Sequence, residues 1–339
     1  MTLNNRETTV RWLLQRILAG LAAVLVVAIG AGTLLAMQFS GEEAPWAASS
    51  GEDSAWLGNV WVSGGRGPAE FAELSPRLSM LSEVYVHVGE IGPDGTVDPG
   101  GYAGAEAFLD WMGQELPEVR VLGWLSHTAE GSSLTRDRFP EDARARIAEG
   151  SADVVAAGFD GVHYAITPVT VNDPSFPDLL ERAREAVGDE AFISVDVQQL
   201  ELIPGMRLPV FFAARGERYW SKGYLIRVAE LVDGIVIRGH GTGMPTQSLY
   251  GGFMVRQTVL ALETVPEGVT VHIGAPSFDH EGWGPVSGAE SVAGAARAVR
   301  IGLTEHGERE GFGMALYVLD DTDPDDWAEF ETGWLNPPS

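Results

Sequence analysis

The stretch GFDGVHYAITPV, residues 158–169, decides how this chain is read. An Asp-Gly turn at Asp160-Gly161 leads into a short run of β-branched and aromatic residues, and Pro168 closes it. That is the composition of a buried strand bounded by turn residues. Side chains alternate along a strand, so His163, Ala165 and Thr167 share one face and Val162, Tyr164 and Ile166 the other.

Seven more runs of this kind occur: LGNVWVS (57–63), EVYVHVG (83–89), VRVLGWLS (119–126), FISVDVQ (192–198), VDGIVIRG (232–239), VTVHIGA (269–275) and FGMALYVL (312–319). Amphipathic segments such as EDARARIAEGSADVVAA and FPDLLERAREAV separate them, several closed by Gly or Pro. Eight strand–helix units over residues 56–339 predict an α/β chain folded as a (β/α)8 TIM barrel. A doubly wound open sheet is the alternative, but it calls for a glycine-rich phosphate loop after the first strand. The nearest approach is GGRG at 64–67, a poor match.

The first forty residues are a separate object. Arg6, Arg11 and Arg16 precede an uncharged run from Ile17 to Met37, and Glu42 and Glu43 follow it. A helix of that length spans about 30 Å, the thickness of a bilayer core. The charge order predicts a single N-terminal transmembrane helix at 17–37 with a cytoplasmic segment 1–16 and an extracytoplasmic barrel. A signal peptide is the competing reading. Residues 38–55, small and acidic, read as a flexible linker.

The net charge is −26, and residues 1–40, with three arginines and one glutamate, contribute +2, leaving −28 on the rest. Lys222 is the only lysine. Such a domain has no basic patch for nucleic acid. With no cysteine in the chain, disulfides, thiolate metal sites and cysteine lipidation are excluded.

A barrel of this type places its site at the C-terminal ends of its strands. Strand parity points Tyr85 and His87, then Ser194, Asp196 and Gln198, then Arg238 and His240, and finally His272 into the barrel. Carboxylates at strand ends are scarce. Asp196 and Glu90 are the weak candidates for catalysis, and Asp196 reads more readily as a structural partner for Arg238 or for a histidine on a nearby strand, because buried charges are usually paired. His87, His163 and His272 would be the core of any metal site, but no HxH or HExxH spacing supports one, and no cofactor is expected. Trp124, Tyr164, Trp283 and Tyr317 lie where aromatic rings would meet a ligand.

In element order and in its fourth strand the chain resembles family 18 glycoside hydrolases. That family's strand four carries Asp-Gly-x-Asp-x-Asp-x-Glu, which falls here on Asp160, Gly161, Val162, His163, Tyr164, Ala165, Ile166 and Thr167. Only the leading Asp-Gly survives. The proton-donating Glu falls on Thr167, and the Asp that orients the substrate acetamide falls on Ala165. The Met-x-Tyr-Asp element after strand six is replaced by Val236-Ile237-Arg238-Gly239-His240, and the tryptophan of strand eight falls on Leu319 or Asp320. Threonine cannot protonate a leaving group and alanine cannot orient an amide, so the resemblance implies a barrel without the family's substrate-assisted chemistry.

The expectation is a membrane-anchored, catalytically inactive barrel that binds a cell-surface glycan or protein partner through His87, Trp124, His163, Tyr164, Thr167, Asp196, Arg238, His240, Trp283 and Tyr317. The alternatives are an active hydrolase using Asp196 and Glu90, a metal-dependent hydrolase, or a purely structural surface domain.

Overall fold

The computed structural model describes residues 3–128, 139–206, 218–277 and 288–338. Eight parallel strands close into a barrel in sequence order. They are β1 Ser54–Leu57, β2 Glu83–Glu90, β3 Arg120–Thr128, β4 Gly161–Thr167, β5 Phe192–Val197, β6 Gly234–Ile237, β7 Thr270–Pro276 and β8 Phe312–Tyr317. β8 pairs back onto β1, Ser54 against Ala315, which leaves no open sheet edge. Helix α1, Leu3–Gln38, precedes the barrel. Among the described residues an α-helix then follows each strand: α2 Pro68–Leu78, α3 Ala105–Glu115, α4 Glu141–Ala156, α5 Ser175–Val187, α6 Lys222–Ala229, α7 Gln247–Thr264, α8 Val292–His306 and α9 Pro324–Phe330.

Strand parity sorts two cores. Val84, Val86 and Val88 of β2 and Ile235 and Ile237 of β6 face outward and pack with helix residues such as Phe108 and Leu225. Trp56, Tyr85, Leu122, Val236 and Ala315 face inward and form a separate cluster within the barrel. The polar strand faces therefore point inward, as the alternation predicts.

The Asp-Gly turn before β4 has a structural job. Asp160 Oδ2 accepts the N–H of Val121 at 2.7 Å, tying the start of β4 to the start of β3. Asp233, in the second Asp-Gly of the chain, accepts the N–H of Ile193 at 2.8 Å. Asp53 does the same for Met314 at 2.8 Å. Each carboxylate satisfies a backbone donor at the floor of the barrel.

Two expectations at the N-terminal side are corrected. The first strand is SAWL at 54–57, not LGNVWVS at 57–63. Asn59–Trp61 instead forms a 3-10 turn, in which Trp61 packs on Phe71 and donates to Asp320. The short, fully buried SAWL needs no alternation, so it shows no strand pattern. Nor do residues 38–55 form a free stalk. Glu43 pairs with Arg297 and Arg300, Ala47 is fully buried, and Arg300 Nε donates to the Ala47 carbonyl at 2.8 Å. Small residues lie flat against α8 there, and the acidic one meets arginines that composition alone does not locate.

Helix α1 contains an apolar window, Gln15–Gln38, long enough to cross a membrane, a property shared by signal sequences. Its C-terminal turns pack on α7. A Cβ placed on Gly252 would lie 1.8 Å from the Leu35 carbonyl oxygen, so only glycine permits this approach.

Candidate functional site

The barrel interior is filled in its lower half and open in its upper half. In the lower half Trp56 Nε1 donates to His163 Nε2 at 3.1 Å. An indole nitrogen only donates, so Nε2 carries no proton and Nδ1–H points to Ser194 Oγ at 3.1 Å. Tyr85 stacks on the His163 ring with centroids 4.0 Å apart. The Tyr85 hydroxyl donates to Glu83 and lies 3.0 Å from His272 Nδ1, while His272 Nε2 meets the Glu52 carbonyl. Arg120 closes the group by pairing with Glu83 at 3.0 Å. Burial, with positive charge nearby, holds His163 well below the usual histidine range, and it is neutral.

Above this floor lies a cleft of about 1060 Å³. His87, Trp124, Ala165, Thr167, Asp196, Arg238, His240 and Tyr317 all border it. His87 lies edge-on to Trp124 at 4.7 Å and meets Ser126 Oγ at 2.9 Å. Burial lowers its pKa, against the pull of Glu90. His240 stacks on Tyr317, centroids 4.4 Å apart and planes 13° from parallel. Arg238 donates to Asp196 Oδ2. Burial raises Asp196 above the ordinary aspartate range, although Arg238 opposes the shift.

Among the described residues, Trp124 Nε1, Asp196 Oδ1 and Arg238 Nε are buried at this level without a hydrogen-bond partner. An unmade buried hydrogen bond costs about 1–3 kcal/mol, and in the floor only Ser54 Oγ, among the described residues, is left the same way. The two donors and one acceptor belong to residues that line the cleft beside Tyr317. The arrangement can stack a flat ring and exchange hydrogen bonds with its hydroxyls or amides.

Not every residue singled out from the sequence is in the cleft. Tyr164 faces the opposite way, with its hydroxyl 2.6 Å from Ser151 of α4, because its parity is that of Val162 and Ile166. His163 belongs to the floor. Glu90 is exposed at the end of β2 and does not border the cleft, so it does not partner Asp196 there. Trp283 lies outside the described residues. The aromatic at the end of β8 is Tyr317, not a residue at 319 or 320. Leu319 is buried, and Asp320 accepts hydrogen bonds from the Gly58 N–H and Trp61 Nε1.

The metal reading also meets an obstacle. His163 and His272 have both ring nitrogens engaged, and among the described residues no group of three or more His, Asp or Glu is placed to hold an ion. Arg66, Glu73, Arg77 and Ser126 border the cleft without having been singled out. Arg66, in GGRG, lies over the Trp61 ring at 5.5 Å, so that glycine-rich run does border the site, though not as a phosphate loop.

No family model and no curated protein matches the chain. Solved structures do. The spore cortex-lytic enzyme SleL of Bacillus megaterium superposes with a TM-score of 0.60 at 12% identity, over 86% of this chain and 75% of that one. The fold is that of chitinase-like barrels. A class V chitinase from Pseudomonas fluorescens gives a TM-score of 0.56 at 12% identity over 83% of this chain and 99% of its own. A chitinase from Bacteroides thetaiotaomicron gives 0.55 at 12% identity over 82% and 93%. At these identities the likeness is one of fold, and it agrees with the architecture that the strand-four motif implied.

Proposed function

We propose that this chain is a membrane-anchored, extracytoplasmic barrel that binds a surface glycan in its mouth and does not cleave it. One observation carries the reading. The cleft has an aromatic wall and is lined by residues with unpaired hydrogen-bonding atoms, while the two strand-four positions that border it are Ala165 and Thr167. Neither can give or take a proton at ordinary pH, whereas glycoside hydrolysis generally uses two carboxyl groups about 5–9.5 Å apart. The fold neighbours are chitinases and cortex-lytic enzymes, so oligosaccharides with N-acetylated sugars are the first ligands to try.

The test is calorimetric titration of the chain with chitin- and peptidoglycan-type oligosaccharides, alongside turnover of the same compounds. Binding without turnover is the expected result. Absence of binding to every member removes the glycan and leaves a protein partner as the occupant.

A second reading keeps catalysis. Asp196 borders the cleft, is raised by burial, and has one oxygen unpaired, which suits a proton donor. It predicts slow hydrolysis abolished by Asp196→Asn. Hydrolysis unchanged in that variant rejects the assignment.

A further inference from the structure

The contacts of α1 fix more than attachment. α7 begins at Gln247, directly after the β6 loop that carries Arg238 and His240, so its first turns stand at the mouth of the barrel. α1 packs on those first turns. Gly32 lies against Leu249, and the Leu35 carbonyl against Gly252, so the two helices run in the same direction where they touch. The chain then travels away from the mouth. Gly41 lies against Ile301 and the Ala44 N–H donates to Thr304 Oγ1 at 2.9 Å, three residues further along α8 toward its floor end. Both tracks say the same thing: α1 descends onto the barrel from the mouth side.

Residues 15–31 of the apolar window precede these contacts. Val24, Leu25, Val26, Val27 and Ile29 among them are 60–70% exposed. At 1.5 Å per residue that length is about 25 Å, most of a ~30 Å hydrocarbon core. Leu34 and Met37, also exposed, continue the apolar surface down to the first turns of α7. The edge of the bilayer therefore falls close to the level of the mouth.

We infer that the cleft opens toward the membrane that holds α1, and that its ligand is a saccharide carried at the bilayer surface rather than one arriving from the distal side. This rests on the anchored, glycan-binding reading above. It adds that the helix orients the site as well as tethering it. The floor of the barrel, with the α7–β7 turn around Glu267, then points away from the lipid.

The absence of cysteine makes the test clean. Single cysteines at Gln247 and Pro93, both in or beside mouth loops, and at Glu267 at the opposite end of α7 are labelled with a fluorophore. The full chain is then reconstituted in phosphatidylcholine vesicles containing a nitroxide-headgroup lipid. Quenching at Gln247 and Pro93, and at least fivefold less at Glu267, is the expected pattern. Equal quenching at all three, or stronger quenching at Glu267, overturns the orientation.

Gly252→Leu puts a side chain into the Leu35 backbone, and the contrast between the two ends is expected to collapse in it. A contrast that survives there overturns the role given to the α1–α7 contact. In the same vesicles, a lipid bearing a chitotriose headgroup is expected to bind at least tenfold more tightly than free chitotriose. Equal binding overturns the membrane-held ligand while leaving the glycan reading intact. Correct quenching with no binding of either form overturns the glycan reading and leaves the orientation standing.

Discussion

The two halves of the barrel interior are built from the same strands and differ in how completely their polar atoms are paired. In the lower half both nitrogens of His163 are engaged, and Tyr85 sits between Glu83 and His272. In the upper half Trp124, Asp196 and Arg238 each leave an atom without a partner. The change occurs within β4 between His163 and Ala165, where a large ring gives way to a methyl group. A packed histidine below and a small residue above make a floor and a space. The small side chains at Ala165 and Thr167 thus leave the pocket open above the packed floor.

Breaking the floor should have the largest effect. Trp56→Ala removes a buried indole that holds His163, and it should cost about 3–5 kcal/mol in urea unfolding. A loss below about 1 kcal/mol would mean that the lower layer is not the rigid part. Next comes Arg238→Ala, which leaves the Asp196 carboxylate buried without its cation. Because Arg238 is one-fifth exposed, the expected cost is about 3 kcal/mol, at the low end for a broken buried pair. That loss should shrink on acidification, since Asp196 is raised by burial and protonation removes the unpaired charge. A pH-independent loss would place the effect in packing instead.

The third test uses pH on the floor alone. His163 is held neutral in the folded chain, whereas an unfolded chain takes up a proton below about pH 6.5. Its contribution to stability is complete above that value and is lost as pH falls, by at most ~1.4 kcal/mol per pH unit. Unfolding curves of His163→Gln should lack this component. Identical slopes for the two proteins would show that His163 is not held neutral.

The smallest effect on stability should come from the mouth. Tyr317→Ala or Trp124→Ala should weaken oligosaccharide binding about tenfold, ~1.4 kcal/mol, while costing much less stability than Trp56→Ala. A variant that unfolds readily and binds unchanged would reverse the roles of the two layers.

Much of this was legible in the sequence because parity in a barrel is unforgiving. Alternation alone places Asp196, Arg238, His240 and His87 on inward faces, and the cost of burying a charge offers Arg238 or a nearby histidine as the partner of Asp196, of which the fold uses Arg238. Tyr164 shows what happens when nearness to a strand end is given more weight than parity: it faces α4. β1 was misread because SAWL is buried on both faces and carries no alternation, while the apolar residues of VWV belong to a turn. Glu90 is a candidate by nearness to a strand end alone. Its strand extends to residue 90, and its side chain stands in solvent beyond the cleft wall. The pairing of Asp160 with Val121 also gives the Asp-Gly a structural role of its own: it joins two strands.

The closed floor has a kinetic consequence. With Trp56, Tyr85 and His163 packed across the barrel, the described residues leave a bound molecule no passage through the floor, and arrival and departure use the mouth. A chain-like ligand must lie across the mouth or enter by a free end, and it cannot be threaded. How long it stays is therefore governed by the loops around the rim, and variation in those loops can change residence time without touching any residue that holds the barrel together.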